Sequence, residues 1–496
     1  MKILFACSEY YPLIRTDDLA DFAAGLTSAI GNSSHDIRVV LPAYPEALNA
    51  AVPLQTIANI ELSGCEDTVR LLQGKTPGCS FPIYLIDAPA MFTRHGHPYK
   101  DSHGENQLDN LRRFAMFSQT VAMVALNQAS INWSPDVVHC NDWQTGLVPA
   151  LLSQDWNRPA TIFSCHRINT DGDFEASSVD SLKLPPNIKN SPHCRVDNKF
   201  SMIKAGIAYS DITVTGNEDF SNTFDSLMIA KEYSDNFHYL KERLKGIDPS
   251  VDYARWSSVN DTSISQSYDA STFDLKQHNK KFLQEQLKLP IKKDSLLITI
   301  FSDLIAENQN SPINEQPPLS VFKEILKQQN IQICLFPNTK NTNETTLKLV
   351  ESFPEQVTVL NRINEKELHS LIAGSDVILF PKINNITRIF PDICLSYGTI
   401  PIMPSTLGIN SHLVNATADN LMKNKANVYL YENNCLDEIK PVIDKMIRYY
   451  FRPGPWWKKL ASNSMKETNS WINTAQKYLE TYQYAIDNPA PNPDKN

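Results

Sequence analysis

Residues 2–42 read KILFACSEYYPLIRTDDLADFAAGLTSAIGNSSHDIRVVLP. The stretch begins with a short, apolar, β-prone run at residues 2–7. It continues into a helical pattern from about Leu19 to Ile30 and ends in a second apolar run at residues 37–41. Strands that alternate with helices form parallel sheets whose two faces are covered by those helices. The stretch therefore predicts a strand–helix–strand unit of an α/β fold.

The same alternation continues in two series, separated by a change in character at residues 246–295, where a linker and a polar surface loop are predicted. A helical pattern also covers Ala461–Ile486. The further apolar runs are Ile83–Ile86, Val137–His139, Ala160–Ser164 and Asp211–Thr215, then Ser295–Phe301, Ile331–Phe336, Val357–Leu360, Val377–Phe380 and, as the predicted last strand, Ile400–Met403. This pattern predicts two doubly wound, Rossmann-like domains with a cleft between them. In such folds ligands lie outside the carboxyl ends of the strands.

The composition argues against several classes of protein. A chain of 496 residues is long enough for two or more domains. Its formal net charge of -9 disfavours a nucleic-acid or membrane binder. The N-terminal apolar run is too short for a signal peptide, and no stretch approaches the length of a membrane span. The nine cysteines are scattered without a C-x-x-C pair, which argues against disulfides and structural zinc. A cytoplasmic protein is predicted.

Several long segments resemble bacterial glycogen (starch) synthases, which are ADP-glucose-dependent glucosyltransferases with a GT-B fold. The longest are the N-terminal stretch above, HGHPYKDSHGENQLDNLRRFAMFSQ at residues 95–119 and HCNDWQTGLVPALL at residues 139–152. Weaker similarity includes AGSDVILFP and LSYGTIPIMPSTLG, and the resemblance is poorest at residues 168–240. It implies an α/β chain of the GT-B type, with a retaining reaction that needs no metal and no other cofactor.

The resemblance also implies a division of the chain. Residues 1–245 are expected to form a starch-synthase-like domain on the glucan side, and residues 246–465 a glycosyltransferase-like domain on the nucleotide side. A C-terminal helix at residues 466–487 is expected to pack back on the N-terminal domain. The composition of residues 488–496, NPAPNPDKN, predicts a disordered tail.

The first donor-site motif of the family departs from its pattern in this sequence. The family has KxGGL, in which lysine meets the sugar nucleotide and two glycines let the backbone approach it. The corresponding residues here are Arg15, Thr16, Asp17, Asp18 and Leu19. A free helix N-terminus after a glycine-rich loop favours anions, whereas two aspartates place the protein's own carboxylates there and can cap the helix.

The second donor-site motif also departs from the family pattern, through the loss of positive charge. The family holds the diphosphate with an arginine and, five residues later, a lysine. The matching positions are Asp303 and Asn308, so that one charge is reversed and the other is lost. Recognition of a diphosphate depends on such charge-assisted hydrogen bonds.

The third motif follows AGSDVILFP, where the family has the acidic catalytic residue in EPCGL. Asn385 occupies the position of that glutamate, followed by Thr387 and by Arg388 in place of the glycine near the glucose. The later TGGL becomes TLGI, with Thr406 and Gly408 retained. Asparagine can bond a hydroxyl but supplies no negative charge to an oxocarbenium-like centre.

Other family positions are retained. Asp142 and His166 match residues that face the reacting sugar, and Tyr99 and Asn110 match a block on the possible glucan side. Structural roles are the alternative: Asp142 then caps a helix, and the retained block maintains the core. Structural retention and ligand contact have equal weight for Asp142 and His166.

Three hypotheses follow. The leading one is a glycogen synthase homologue that is catalytically impaired or inactive, binds ADP-glucose weakly or not at all, and is retained to bind α-1,4-glucan or a protein partner. The alternative is an active enzyme in which Arg15, Lys382 or Arg388 replaces the phosphate contacts. The third is a GT-B enzyme with a different donor, which would still need a diphosphate clamp.

Overall fold

A computed structural model describes residues 1–16, 18–62, 68–76, 78–94, 96–101, 103–166, 170–216, 241–302, 319–327, 330–337, 344–360, 364–381, 389–405, 412–432, 439–466 and 470–495. The chain divides into two compact units. Unit 1 comprises Met1–Ser250 together with Trp471–Asn496, and unit 2 comprises Val251–Ser470.

The strands lie in three sheets. Their bounds are β1 (Lys2–Ala6), β2 (Asp36–Pro42), β3 (Gln55–Ile60), β4 (Val69–Gly74), β5 (Ile83–Asp87), β6 (Val137–Asn141), β7 (Ala160–Cys165), β8 (Asp173–Glu175), β9 (Arg195–Val196), β10 (Lys199–Ser201), β11 (Ile212–Thr215), β12 (Leu244–Gly246), β13 (Leu296–Ser302), β14 (Ile331–Pro337), β15 (Val357–Val359), β16 (Val377–Leu379), β17 (Ile400–Ser405) and β18 (Tyr429–Glu432).

Helices connect most of these strands. Their bounds are α1 (Asp18–Gly31), α2 (Pro45–Ala50), α3 (Pro89–Phe92), α4 (Asn110–Ala125), α5 (Leu147–Leu152), α6 (Pro186–Asn190), α7 (Met202–Tyr209), α8 (Lys276–Gln286), α9 (Leu319–Leu326), α10 (Glu344–Ser352), α11 (Glu365–Gly374), α12 (Phe390–Ser396), α13 (Ala418–Met422), α14 (Ile439–Tyr450), α15 (Trp456–Ser464) and α16 (Trp471–Asp487). No helix among the described residues is long and apolar enough to span a bilayer.

Unit 1 is built on a nine-stranded sheet in the order β12–β11–β7–β6–β1–β2–β5–β4–β3. The first two predicted strands pair in parallel, with Ile3 opposite Ile37, and α1 connects them as the sequence predicts. β6 and β7 are buried along their whole length, which is typical of central parallel strands covered on both faces. β3 and β4 were not predicted: they form an antiparallel edge, so the sheet is mixed.

Unit 2 contains a six-stranded parallel sheet in the order β15–β14–β13–β16–β17–β18. The prediction that Ile400–Met403 forms the last strand is wrong, because β18 pairs beside it through Met403 and Leu430. The continuous helical pattern predicted over Ala461–Ile486 is also wrong. It corresponds to the end of α15 and to a separate helix, α16.

Much of the segment predicted as a linker and surface loop belongs to unit 2 and is packed within it. Trp256 is buried and stacks on His369, with ring centroids 3.9 Å apart. The carboxylate of Asp261 accepts a hydrogen bond from the hydroxyl of Tyr397 at 2.6 Å and lies 2.6 Å from Nδ1 of His369. Polar residues in this segment therefore anchor it to α11 and to the end of α12 through paired buried groups. The composition alone does not distinguish such a segment from a solvated loop.

The C-terminal helix α16 packs on α1 and β7 in unit 1. The hydroxyl of Tyr482 lies 2.7 Å from Nδ1 of His139 on β6, and Nε2 of the same ring lies 2.7 Å from Oγ of Ser164 on β7. Burial lowers the pKa of His139 well below its usual value, so the ring is neutral in the folded chain. At the start of α16, the indole of Trp471 lies against Gly25 of α1, where a side chain would overlap it.

The tail after α16 also contacts unit 1. Asp494 accepts hydrogen bonds from the hydroxyls of Ser191, at 2.8 Å, and Tyr209, at 2.5 Å. Asn492 donates to the carbonyl of Ser153 at 3.1 Å. The prediction of disorder for residues 488–496 rests on composition alone. Composition does not show that Asp494 and Asn492 have hydrogen-bond partners elsewhere in unit 1.

Candidate donor-side site in unit 1

Three neighbouring strands place polar residues at one edge of the unit 1 sheet. β1 is followed by Ser8 and Glu9, β6 ends at Asn141 and is followed by Asp142, and β7 is followed by His166. β7, β6 and β1 are adjacent and parallel. Their carboxyl ends therefore meet at the same edge, which is the usual position of ligand sites in such sheets.

Asp142 is held in an unusual backbone conformation. Its φ is +55° and its ψ is −178°, a region that residues with a side chain rarely adopt. Its backbone N–H donates to the carbonyl of Ser164 at 2.9 Å, and its Oδ1 accepts from the backbone N–H of His166 at 2.7 Å. The structure thus brings together the two retained residues, and the carboxylate of one fixes the backbone of the other.

The imidazole of His166 is oriented from two sides. Its Nε2 lies 3.1 Å from Oδ1 of Asn141, whose Nδ2 donates to the carbonyl of Ala6 at 3.0 Å. Because the amide oxygen of Asn141 then faces the ring, Nε2 carries a proton and donates it to Asn141. The ring also meets the edge of Phe22 on α1, with centroids 4.3 Å apart.

The loop between β1 and α1 is anchored by Glu9, which is 1% exposed. Its carboxylate accepts from the hydroxyl of Thr16 at 2.5 Å and also from the backbone N–H of Thr16. The hydroxyl of Tyr99 donates to the same carboxylate at 2.7 Å. Burial raises the pKa of Tyr99 well above its usual value, and Glu9 raises it further, so Tyr99 remains a neutral hydrogen-bond donor.

Arg15, which stands at the position of the family lysine, is paired with a carboxylate of α1. Its Nε donates to Oδ2 of Asp21 on α1 at 2.8 Å, and its side chain is 42% exposed. An exposed pair of this kind is weak, typically about 0–1 kcal/mol. The guanidinium is therefore held by a carboxylate but is not buried.

Asp18 is the first residue of α1 and is half-buried. Burial raises the pKa of its carboxyl to about 7, with Asp142 as the next largest cause and smaller contributions from Asp21 and Glu9. Like charges close together disfavour ionisation of both. The pKa shift therefore indicates that Asp18, at a position where the family has glycine, is electrostatically coupled to the retained Asp142.

The raised pKa of Asp18 predicts a pH-dependent effect of Asp18→Asn on stability. The pKa of Asp18 is near 3.8 in the unfolded chain and about 7 in the folded one, so folding takes up a proton between these values. Its contribution to stability is therefore fully present below about pH 4 and is lost as pH rises through 7. Since the side chain is only half-buried, we expect the Asp18→Asn variant to gain about 1 kcal/mol over the wild type between pH 5 and pH 8.

Urea denaturation at the two pH values measures this gain. Asp487→Asn is the matched control, because Asp487 is an exposed carboxylate of unit 1 whose contact is a 3.0 Å hydrogen bond from Gln483. An Asp18→Asn profile parallel to that of the wild type would show that folding does not raise the pKa of the Asp18 carboxyl.

Tyr99 and Asn110 hold the loop before α4. Asn110 is 1% exposed, its Nδ2 donates to the carbonyl of Tyr99 at 2.9 Å, and its Oδ1 accepts from Arg113 at 2.9 Å. Arg113 also donates to the carbonyls of Met91 and Pro98, both at 2.8 Å. In this arrangement Asn110 positions the chain around Tyr99, whereas Tyr99 itself is half-buried beside Glu9.

A family model and individual known proteins point to the same family. Residues 2–223 match the starch synthase catalytic domain. A glycogen synthase of Thioalkalivibrio sulfidiphilus is 31% identical over 485 residues, which is 97% of this chain and 99% of that protein. The chain belongs to the glycogen synthase family. A second glycogen synthase, of Cellvibrio japonicus, is 32% identical over 483 residues, with 97% of this chain and 98% of that protein covered.

Solved structures confirm the fold. The catalytic domain of starch synthase IV from Arabidopsis thaliana, bound to ADP and acarbose, matches with a TM-score of 0.80 at 20% identity, over 98% of this chain and 99% of that one. Sucrose-phosphate synthase from Thermosynechococcus elongatus matches with a TM-score of 0.54 at 11% identity, over 98% and 99%. Both are GT-B glycosyltransferases, so the predicted GT-B fold is confirmed.

Part of the glycogen synthase donor motifs lies outside the described residues. These positions are Asp17, Asp303, Asn308, Asn385, Thr387, Arg388, Thr406 and Gly408, and also Lys382 of the alternative hypothesis. The structure does describe the strands that precede them in the chain, and β13, β16 and β17 are neighbours in the unit 2 sheet. The roles assigned to these residues from the family motifs stay predictions.

No sequence motif predicted Glu9, Asn141, Asp21 or Phe22 as site residues. Glu9 and Asn141 each lie at the carboxyl end of an apolar strand, the position at which polar residues most often serve a ligand site. That signal was available in the sequence. Asp21 and Phe22 are part of an ordinary helical pattern, and only the packing of α1 shows that they reach Arg15 and His166.

Proposed function

We propose that this glycogen synthase homologue binds α-1,4-glucan and has lost most or all of its ability to take glucose from ADP-glucose. The observation that carries the proposal is the position of Asp18, a half-buried carboxyl group at the start of α1. In the family pattern a glycine at position 18 leaves room for the sugar nucleotide. Here a carboxyl group at that position interacts with a retained residue expected to face the donor glucose.

Electrostatics supports weak donor binding. A carboxylate about 4 Å from a phosphate costs roughly 4 kcal/mol at an effective dielectric of about 20. At pH values above 7 Asp18 carries that charge in the folded chain. The cation closest to it in sequence, Arg15, is already paired with Asp21. In unit 2, the sequence replaces the two cations of the family clamp by Asp303 and Asn308.

The alternative is an active glycogen synthase with a substituted phosphate clamp. The hydrogen bonds that join Asp142 and Asn141 to His166 favour it, because they fix two retained residues that the family resemblance expects to face the donor glucose. The exposed pair of Arg15 and Asp21 could also open for a phosphate at little cost. Binding of the donor distinguishes the two readings.

The first test is ADP-glucose binding. We expect a dissociation constant no tighter than about 1 mM, so that 1 mM ligand stabilises the protein by at most about 0.4 kcal/mol and raises its melting temperature by about 1 °C or less. Isothermal calorimetry and thermal denaturation measure both quantities. The Asp17→Gly, Asp18→Gly double variant is the comparison and is expected to bind more tightly. Saturable wild-type binding at micromolar ADP-glucose would contradict the proposal.

The second test is glucan binding. Sugars are bound by neutral hydrogen bonds and by aromatic faces, and neither requires the lost cations. We therefore expect the protein to sediment with glycogen at neutral pH and to be released by excess maltoheptaose. Serum albumin at equal concentration controls for trapping in the pellet. A protein that stays wholly in the supernatant would exclude a glucan-binding role.

A further inference from the structure

A cavity of about 700 Å³ opens on unit 1 at the amino ends of β6 and β7. The end of α4, the turn before β7 and the tail after α16 form its walls. Its volume lies within the range of roughly 300–1,000 Å³ that is usual for small-molecule sites. Asp136 lies in its lining and Asp142 at the opposite end of β6, so the two edges are about 20 Å apart at roughly 3.3 Å per residue.

The indole of Trp156 lies on this cavity and is 94% exposed. Tryptophan is the largest apolar side chain and is highly buried on average in folded proteins. Buried tryptophans elsewhere in this chain, such as Trp143 and Trp133, pack in the core of unit 1. An exposed indole beside a cavity is a flat apolar surface on which the apolar face of a ligand ring can stack.

The charges of the cavity exclude one class of ligand. Arg158 is the one cationic side chain among the described residues that line it. Its guanidinium donates to both carboxylate oxygens of Asp211, at 2.6 Å and 2.7 Å. Asp211 in turn accepts from the backbone N–H of Ala490 at 2.6 Å. Because this bidentate pair is already satisfied, a phosphate or carboxylate ligand would find no cation to bind.

The remaining polar groups suit hydroxyl groups. Asp155 and Asn157 flank Trp156 in the turn before β7, and Asp136 also lines the cavity. Carboxylates accept hydrogen bonds from hydroxyls, and an amide both donates and accepts. A neutral polyhydroxylated ring with one apolar face matches the combination of an exposed indole, acceptor groups and a satisfied cation.

We infer that this cavity, with Trp156 as its stacking platform, is a second α-1,4-glucan site that anchors the protein to glycogen away from the donor-side edge. The inference rests on the proposed glucan-binding function. A neutral glucan explains both features, because it can stack on the exposed indole and does not need the cation that is already paired with Asp211. A flat protein partner would instead need about 800 Å² of surface on each side.

Titration of maltoheptaose by isothermal calorimetry tests the inference. We compare the wild type with Trp156→Ala, Trp156→Tyr and Ile472→Ala. Ile472 is the matched control because it is an exposed apolar residue of unit 1, 76% exposed, at the other end of α16. We expect Trp156→Ala to weaken binding at one class of site at least fivefold, and Trp156→Tyr and Ile472→Ala to bind as the wild type does. Thermal denaturation is expected to show unchanged folding, since the side chain is almost fully exposed.

The outcomes separate the inference from the proposed function. Wild-type binding that Trp156→Ala leaves unchanged would overturn the second site and leave the glucan-binding function standing. Absence of maltoheptaose and glycogen binding in the wild type would overturn the proposed function itself. Concentration-dependent self-association in sedimentation velocity, abolished by Trp156→Ala, would assign the indole to a contact between copies of the chain and would also overturn the inference.

Discussion

Gly146→Ala is expected to lower the stability of unit 1 by about 3 kcal/mol or more, because the added methyl group meets backbone rather than a movable side chain. Gly146 lies between the turn after Asp142 and α5, with an ordinary helical φ of −63°. A Cβ there would overlap the carbonyl oxygen of Met202 and lie 2.7 Å from its carbonyl carbon. Met202 begins α7, so the helix itself would have to move. This contact also gives a physical reason for the glycine in HCNDWQTGLVPALL.

Gly74→Ala is the matched control, because its Cβ would meet mainly Cδ2 of Leu54, the movable end of a flexible side chain, at 2.8 Å. We expect that variant to lose about 1 kcal/mol or less. Urea denaturation followed by circular dichroism measures both. A Gly146→Ala variant as stable as Gly74→Ala would show that α7 can shift away from the turn after Asp142 at little cost.

The strand–helix alternation was sufficient to predict the fold class, because central parallel strands are rich in apolar residues. β6, β7 and β13 illustrate this, and all three were predicted within two residues of their bounds. β3 and β4 were missed because QTIANI and VRLLQG mix polar with apolar residues at the edge of the sheet. β18 was missed for a similar reason, since YLYE is short and amphipathic.

The candidate site was only partly predictable. The family resemblance identified Asp142 and His166, but their mutual hydrogen bond and the positive φ of Asp142 depend on how β6 and β7 end side by side. The pairing of Arg15 with Asp21 depends on the rotation of α1. Sequence spacing does not reveal which of several nearby carboxylates an arginine meets, because the loop before α1 determines that geometry.

Asn110 illustrates the reverse case. The sequence analysis grouped it with Tyr99 as a possible glucan contact, and the structure shows both ends of its amide bonded to the protein. A motif residue can therefore be retained because it positions a neighbour. Tyr99 is bonded through its hydroxyl to Glu9 and is half-buried, so of these two residues it is the one that keeps some exposed surface.

The wild-type protein is expected to transfer glucose from ADP-glucose to glycogen at a rate indistinguishable from background. Loss of two charge-assisted phosphate contacts, each worth about 1.5–3 kcal/mol, lowers donor-dependent transfer by roughly 10²–10⁴-fold. The carboxylates at positions 17 and 18 lower it further. Asn385→Glu alone is not expected to restore activity, because an acid near the anomeric carbon acts only on a bound and positioned donor.

Recovery of glucose transfer is expected to require five substitutions together: Asp17→Gly, Asp18→Gly, Asp303→Arg, Asn308→Lys and Asn385→Glu. The gain in transfer rate will not be the sum of the single effects, since these positions act on one ligand. An assay of ADP release in the presence of glycogen measures it. Asp142→Ala in the rescued variant is the control and is expected to abolish the regained activity, because Asp142 fixes His166 through a 2.7 Å hydrogen bond. Robust wild-type turnover that Asp142→Ala abolishes would show that the chain holds its donor through a different set of contacts, with Arg15 as the first residue to test.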